Sequence, residues 1–213
     1  MDMERIQPSD ALLVVDVQND FCPGGALAVP EGDAVVPLIN KITGLFPTVV
    51  ATQDWHPEGH ISFASRHPGK NPFEVVEIRG TEQVLWPDHC VEGTPGADFH
   101  PGLNTTAFRF VLRKGTNLEM DSYSAFLEND RRTTTGLAGL LRELGVQRVF
   151  LSGLATDVCV RATALDGRAA GFQVVLLEDA CRPVDVPPGN LAGALRQMLD
   201  TGVRAFLAEE LQV

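Results

Sequence analysis

Short, uninterrupted apolar runs recur along the chain and alternate with segments of helical spacing. The first run, Ala-Leu-Leu-Val-Val at residues 11–15, has the length of a single strand and contains no polar residue. Such a run is typical of a strand that is buried on both faces of a sheet. The same pattern predicts strands at residues 48–52, 108–112, 146–151, 173–177 and 204–207, and helices at residues 33–46, 135–144, 157–170 and 190–201.

Strands that alternate with helices favour a mainly parallel sheet covered by helices on both faces. We therefore predict an α/β fold with three layers, α/β/α, around a doubly wound, six-stranded sheet. No internal repeat, low-complexity segment or linker is present, so residues 1–213 are expected to form a single domain. Residues 54–102 are rich in Pro, Gly and His and have little periodicity, which predicts a long, functional loop.

Composition excludes several classes of function. The 213 residues carry a formal net charge of −11, which argues against binding to nucleic-acid phosphates. The apolar runs are too short for a transmembrane helix, and the first residues do not resemble a signal peptide. Four cysteines without the spacing of a disulfide framework indicate free thiols in a reducing compartment. We therefore expect a cytoplasmic protein with no nucleic-acid or membrane partner.

Chemically capable side chains stand where the predicted strands end. Asp16 follows the first strand, Asp54 and His56 follow the second, and Lys114 follows the third. The fourth strand leads into a turn that carries Cys159. Ligands of an open parallel sheet bind beyond the carboxyl ends of its strands, so these side chains are expected to share one site. Each alone is more typical of a turn former, a solvated charge or a buried thiol, but their convergence favours a cysteine nucleophile.

The turn at residues 152–159 can supply both a nucleophile and an oxyanion site. Cys159 falls in the first turn of the predicted helix, where unpaired N–H groups and the helix dipole favour the thiolate. The same N–H groups can receive the oxyanion of an attacked carbonyl. Taken by itself, the turn is also compatible with a buried cysteine that packs as a small apolar residue.

A metal site is predicted beside this turn. Asp54 and His56 lie two residues apart, and extended backbone directs both side chains to the same side. His60 and His89 in the long loop can complete a set of mixed oxygen and nitrogen ligands, which suits Zn, Fe or Mn. Histidines in a turn-rich loop are also often simply exposed, and that alternative stays open here.

Three aromatic residues, Phe21, Trp86 and Tyr123, fall in loops near the same strand ends. Aromatic side chains in such places can sandwich a flat ring, although core packing is the better interpretation of any one of them alone.

Six segments together resemble the nicotinamidase (pyrazinamidase) branch of the isochorismatase-like cysteine hydrolases, from residue 11 to about residue 211. Two of them, Gln-Asp-Trp-His at residues 53–56 and Trp-Pro-Asp-His-Cys at residues 86–90, are the most specific to that branch. The others are Val-Asp-Val-Gln-Asn-Asp-Phe at residues 15–21, Arg-Lys-Gly at 113–115, Asp-Ser-Tyr-Ser-Ala-Phe at 121–126 and Gly-Leu-Ala-Thr-Asp-Val-Cys at 153–159.

The resemblance implies the isochorismatase-like hydrolase fold and the hydrolysis of nicotinamide, and of pyrazinamide, to the ring carboxylate and ammonia in NAD salvage. It implies that Cys159 forms a thioester, that Asp16 takes the thiol proton, and that Lys114 holds both groups in place. The backbone N–H groups of Ala155 and Cys159 would stabilise the oxyanion. In this family the peptide bond that corresponds to Leu154–Ala155 is cis.

The resemblance also implies a cofactor: one divalent metal ion, Zn before Fe or Mn. Its ligands would be Asp54, His56 and His89, with His60 at a position that is a ligand in only some members. The metal would hold the ring nitrogen of a small-molecule substrate, nicotinamide. Phe21 and Trp86 match ring-stacking positions and Tyr123 matches a pocket wall. The family contains monomers and larger assemblies, so formation of a homo-oligomer stays open.

Three alternatives are compatible with these residues. A related cysteine amidohydrolase would act on another small amide, such as a ureido or N-carbamoyl compound, but those branches lack the Asp54, His56 and His89 set. A metal hydrolase would use metal-bound water as the nucleophile and leave Cys159 incidental. A binding module of the same fold would catalyse nothing, because a fold does not determine function.

Overall fold

A six-stranded, fully parallel sheet forms the centre of the computed structural model, which describes residues 3–212. The strands are β1 (Glu4–Arg5), β2 (Asp10–Val15), β3 (Thr48–Asp54), β4 (Val75–Ile78), β5 (Thr81–Val84), β6 (Phe110–Lys114), β7 (Arg148–Leu154), β8 (Gln173–Arg182), β9 (Arg204–Phe206) and β10 (Leu211–Gln212). The α-helices are α1 (Val35–Ile42), α2 (Leu137–Glu143), α3 (Arg161–Ala169) and α4 (Asn190–Asp200).

The strand order of the central sheet is β6-β3-β2-β7-β8-β9, with every neighbouring pair parallel. The chain runs outward from β2 to β6, returns to the middle, and runs outward on the other side from β7 to β9. The direction of winding therefore reverses between β2 and β7, and an open sheet has its ligand crevice at that reversal. The predicted doubly wound, parallel fold is confirmed.

Alternating residues of the wholly buried strand β2 enter two separate cores. Leu12 and Val14 pack in the same cluster as residues of α1. Ala11 and Leu13, on the opposite face, pack in a second cluster with residues of α2, α3 and α4. Helices therefore cover both faces of the sheet, which explains why β2 consists of apolar residues without alternation.

Several element boundaries differ from those predicted. Strand β6 begins two residues late and ends at Lys114, so that Lys114 is the direct partner of Asp54 in the sheet. The predicted helix at residues 157–170 begins as a π-helical turn, Thr156–Val160, before α3. The predicted helix at residues 33–46 has α1 at its centre and a 3₁₀ turn on either side.

The long loop contains a hairpin that the sequence pattern did not predict. Strands β4 and β5 pair antiparallel through a two-residue turn, Arg79 and Gly80, in which φ is 53° and 81°. Their residues are largely exposed or half-buried, so they lack the apolar run that identifies a central strand. A second small pair, β1 with β10, joins the two ends of the chain.

The predicted free thiols are confirmed, since Cys22, Cys90, Cys159 and Cys181 are all buried and unpaired. Within residues 3–212, no helix has the length and apolar character needed to cross a membrane.

Candidate active site

Asp16 stands where the chain leaves the sheet after β2. Its φ of 49° turns the backbone away from the strand, and its side chain is wholly buried. The Thr52 hydroxyl donates a hydrogen bond of 2.6 Å to Oδ1. Oδ2 lies 2.9 Å from Lys114 Nζ and receives no other hydrogen bond from the described residues. One carboxylate oxygen is thus fixed, while the other has acceptor capacity left for a proton.

The ammonium group of Lys114 is the centre of the site. Besides Asp16, Nζ contacts Asp54 Oδ1 at 2.8 Å, the Ser122 carbonyl at 3.0 Å and Cys159 Sγ at 3.7 Å. Burial disfavours the charged form, but the two carboxylates outweigh it and hold the pKa of Lys114 well above its usual range. The lysine is therefore a permanent cation between the two aspartates and the thiol.

Cys159 is placed by the close approach of β7 to β2. Gly153 has a φ of 110°, and a Cβ there would lie 2.1 Å from the Val15 carbonyl oxygen, so only glycine fits. The following Leu154–Ala155 peptide bond is cis, as the family resemblance implies. The π-helical turn then carries Cys159, which is 7% exposed.

The surroundings of Cys159 favour the thiol, whereas the helix start considered alone favours the thiolate. Burial raises the pKa of Cys159 well above its usual value; Lys114 opposes this, while Asp16 and Asp54 raise the pKa further. A nucleophile in this position needs a neighbouring base to remove its proton.

The two aspartates that share Lys114 have opposite pKa shifts. Burial raises the pKa of Asp16 above 3.8, against the opposing effects of Lys114 and Thr52. Burial also opposes ionisation of Asp54, but Lys114 and His56 outweigh it and hold the pKa of Asp54 well below 3.8. Asp16 therefore has the character of a proton acceptor, and Asp54 that of a permanent anion.

Asp54, His56 and His89 form a group suited to a metal ion. Their ligand atoms all lie within 4.8 Å of one another. Nδ1 of His56 contacts the Gly115 carbonyl at 2.9 Å, and Nδ1 of His89 contacts the Pro87 carbonyl at 2.7 Å. These contacts place the hydrogen on Nδ1 and leave both Nε2 atoms as ligands. The two Nε2 atoms face Asp54 Oδ2 at 3.2 and 3.7 Å, so the residues present fit a metal with mixed ligands.

His60 lies next to this group with both ring nitrogens occupied. Nδ1 contacts the Ser62 hydroxyl at 2.8 Å and Nε2 contacts the Met120 carbonyl at 3.2 Å. The ring stacks on His56, with 4.2 Å between centroids. His60 belongs instead to a second cluster with His56 and Asp121. Coordination by His60 of the metal ion proposed at Asp54 stays a prediction.

One cavity reaches both the cysteine and the metal-ligand group. Cys159, Ala155, Asp54 and His89 all line it. All three predicted aromatic residues, Phe21, Trp86 and Tyr123, line the same cavity. Trp86 Nε1 donates a hydrogen bond of 3.1 Å to the Tyr123 hydroxyl, and Phe21 packs against His89 at 5.5 Å between ring centroids. The cavity suits a small, flat ring with a polar group at each end.

Some functional contacts were missed by sequence reasoning. Asp157, in the turn before Cys159, accepts hydrogen bonds of 2.9 Å from the backbone N–H groups of Val184 and Asp185 and one of 2.8 Å from Asn190. Val184 is part of the cavity wall, so Asp157 ties that wall to the turn. The available signal was an aspartate at the start of a predicted helix, a position that also suits a simple cap.

Comparison with known proteins places this arrangement in a family. The isochorismatase domain matches residues 10–209. A nicotinamidase of Acinetobacter baylyi is 48% identical over 203 residues, which cover 95% of this chain and 94% of that protein. The structure of PnC1 from L. infantum in complex with nicotinate has a TM-score of 0.87 and 40% identity, covering 99% of this chain and 98% of that one. The pyrazinamidase of Pyrococcus horikoshii in complex with zinc has a TM-score of 0.75 and 42% identity, covering 94% of this chain and 99% of that one.

The doubly wound sheet, with a cysteine, a lysine and an aspartate gathered at its carboxyl edge, is that of an isochorismatase-like hydrolase. The chain belongs to the isochorismatase family, and within it to the nicotinamidases.

Proposed function

We propose that this protein hydrolyses nicotinamide to nicotinate and ammonia, and that it accepts pyrazinamide in the same way. The observation that carries the proposal is one cavity lined by Cys159, beside Lys114 and Asp16, and by residues of a metal-ligand group. Hydrolysis of a carboxamide needs the cysteine with its lysine and aspartate. The ring nitrogen of nicotinamide suits a metal ion held by the ligand group. The nicotinamidases that resemble this chain over nearly its whole length support the same substrate.

The proposed reaction begins with Asp16, whose Oδ2 takes the proton from Cys159 Sγ. Lys114, 3.7 Å from Sγ, stabilises the thiolate as it forms. The thiolate attacks the carboxamide carbon, and the backbone N–H groups of Ala155 and Cys159 receive the negative charge on oxygen. Asp16 then returns the proton to the departing nitrogen, so ammonia leaves and a thioester stays on Cys159.

The second half of the reaction reuses the same base. With ammonia gone, Asp16 removes a proton from a water molecule, which attacks the thioester carbon. The tetrahedral intermediate collapses, and the Cys159 thiolate leaves and regains its proton from Asp16. The product forms as the carboxylic acid, which loses its remaining proton to water and is released as the carboxylate. One raised-pKa carboxylate therefore serves both steps.

Asp54, His56 and His89 would hold the divalent metal ion, with Zn proposed before Fe or Mn. When bound, the ion supplies a Lewis acid that can coordinate the ring nitrogen and orient the substrate. Phe21 and Trp86 would flank the ring, and Tyr123 would close the wall beside it. The zinc complex of the similar pyrazinamidase supports this choice of metal.

This metal-ligand group also favours a pyridine carboxamide over the alternative substrates, because ureido and N-carbamoyl compounds lack a ring nitrogen to coordinate. We further propose that the reaction serves NAD salvage in the cytoplasm. The organisation of residues 1–213 as a single domain stays a prediction, and so does the formation of a homo-oligomer.

The test is ammonia release from nicotinamide by protein loaded with Zn, run beside pyrazinamide and an N-carbamoyl amino acid. We expect turnover of both ring carboxamides, loss of turnover after chelation, and recovery when Zn is restored. Metal-loaded protein that leaves nicotinamide intact would contradict the proposed function.

A further inference from the structure

Gln18 occupies a position that the proposed mechanism does not use. It lies two residues after Asp16, where the chain has already left the sheet, and it is wholly buried. Its backbone N–H donates a hydrogen bond of 2.9 Å to the Asp16 carbonyl, which fixes it in a tight turn. Its side chain points back toward the end of β3.

The end of β3 needs a hydrogen-bonding partner that β2 cannot provide. Strand β2 ends at Val15, whereas β3 continues to Asp54. Gln18 Oε1 accepts a hydrogen bond of 2.7 Å from the Asp54 N–H, and Gln18 Nε2 donates one of 2.8 Å to the Asp54 carbonyl. The primary amide thus satisfies both buried backbone groups of Asp54 at a point that β2 does not reach.

The residue held in this way is the one that joins the two halves of the site. Asp54 Oδ1 binds Lys114 at 2.8 Å, and Asp54 Oδ2 faces the Nε2 atoms of His56 and His89. We propose that Gln18 is a positioning residue that fixes the backbone of Asp54 and thereby the affinity for the metal ion. This inference rests on the proposed metal site.

The chain offers a matched control in Gln53, a second buried glutamine beside the same residue. Nε2 of Gln53 and Nε2 of Gln18 each donate a hydrogen bond of 2.8 Å to the Ala97 carbonyl. The side chain of Gln53 makes no hydrogen bond to the backbone of Asp54; its Oε1 instead accepts one of 3.3 Å from Arg113. Removing either amide therefore loses a buried hydrogen bond to Ala97. Only the removal of the Gln18 amide also leaves the backbone N–H and C=O of Asp54 without their partner.

The experiment measures Zn affinity by competition with a chelator, in the absence of substrate, for wild type, Gln18→Leu and Gln53→Leu. Groups that hydrogen-bond metal ligands typically contribute about 10-fold to 100-fold to the affinity for the metal ion. We expect a loss of Zn affinity of that size for Gln18→Leu only. The rate at which iodoacetamide alkylates Cys159 in Gln18→Leu should stay within about twofold of the wild-type rate, because Asp16 and Ser122 still hold Lys114. If Gln18→Leu does not fold, Gln18→Asn keeps the amide but is one methylene too short to reach both groups.

Two results would overturn the inference: Zn affinity of the Gln18 variant within threefold of wild type, or equal losses in the Gln18 and Gln53 variants. The latter would show general loosening rather than positioning. Failure of the proposed function is separable, because it would appear in the wild-type protein as absent Zn binding or absent nicotinamide turnover.

Discussion

Strands β2 and β7 have a cluster of buried charges at each end, and the two clusters differ in one respect. At the amino end, Asp10 and Arg148 are paired in the sheet. Arg148 Nε and Nη2 donate to the two oxygens of Asp10 at 3.0 and 2.6 Å, Nη2 also donates to the Arg5 carbonyl at 2.8 Å, and Nη1 binds Glu4. This cluster is closed, since donors and carboxylate oxygens satisfy one another.

At the carboxyl end, the same two strands lead to Asp16 and Cys159. Here burial raises the pKa of the Cys159 thiol. Asp16 Oδ2 contacts Lys114 and receives no other hydrogen bond from residues 3–212, and Asp54 Oδ2 faces two imidazole nitrogens. Acceptor capacity is therefore left open beside a cavity. A closed charge cluster thus supports the fold, whereas an open one leaves groups with shifted pKa values available for chemistry.

Cys159→Ala should reduce activity more than any other substitution considered. Removal of the nucleophile should lower ammonia release from nicotinamide by at least about 10³-fold. Zn affinity and the unfolding temperature should change little, because the metal ligands and the core are intact. Substantial residual turnover would favour the metal hydrolase in which Cys159 is incidental.

Asp16→Asn should separate activity from stability. Loss of the base is expected to lower kcat by about 10²-fold to 10⁴-fold. The pKa of Asp16 is higher in the folded state, so its contribution to stability is complete below the unfolded pKa and is lost as pH rises through the folded pKa. At neutral pH the variant should therefore unfold at the same or a higher denaturant concentration than wild type. A clear loss of stability would show that the carboxyl-end cluster is structural.

Arg148→Ala should give the opposite pattern at the amino end of the sheet. Removing one member of a buried ion pair typically costs about 3–5 kcal/mol, here because Asp10 and Glu4 would lose their shared partner. Denaturant unfolding measures this loss, while kcat of the protein that stays folded should match wild type. A selective fall in kcat at full stability would contradict a purely structural role.

The smallest expected effect is a shift of the acid limb of the pH profile. Activity requires ionised Asp16, so kcat/KM falls as pH drops through the raised pKa of that carboxyl. The Thr52 hydroxyl lowers this pKa, and Thr52→Val should therefore move the acid limb to higher pH. Ser152→Ala is the control, because that buried hydroxyl bonds the Leu13 carbonyl and does not touch Asp16. An unshifted limb would mean that Asp16 is not the titrating base.

The sequence predicted what depends on strand order and missed what depends on side-chain packing. Asp16, Lys114 and Cys159 could be brought together because parallel strands end at one edge of the sheet. The contact of Gln18 with Asp54 spans 36 residues and follows from where β2 stops, which no local pattern shows. The raised pKa of Cys159 likewise follows from burial and from carboxylates that are distant in sequence, which the helix start does not show. Hairpin β4–β5 was missed because it lacks an apolar run.

We expect the open cluster to form a covalent bond to the substrate at Cys159. The most direct measurement is mass spectrometry of Zn-loaded wild-type protein, quenched in acid during turnover of nicotinamide and digested to peptides. A mass increase of one nicotinoyl group is expected, confined to the peptide that contains Cys159 and absent without substrate. Steady turnover with no acylated protein, in quenches fast enough to sample single turnovers, or acylation at another residue would contradict it.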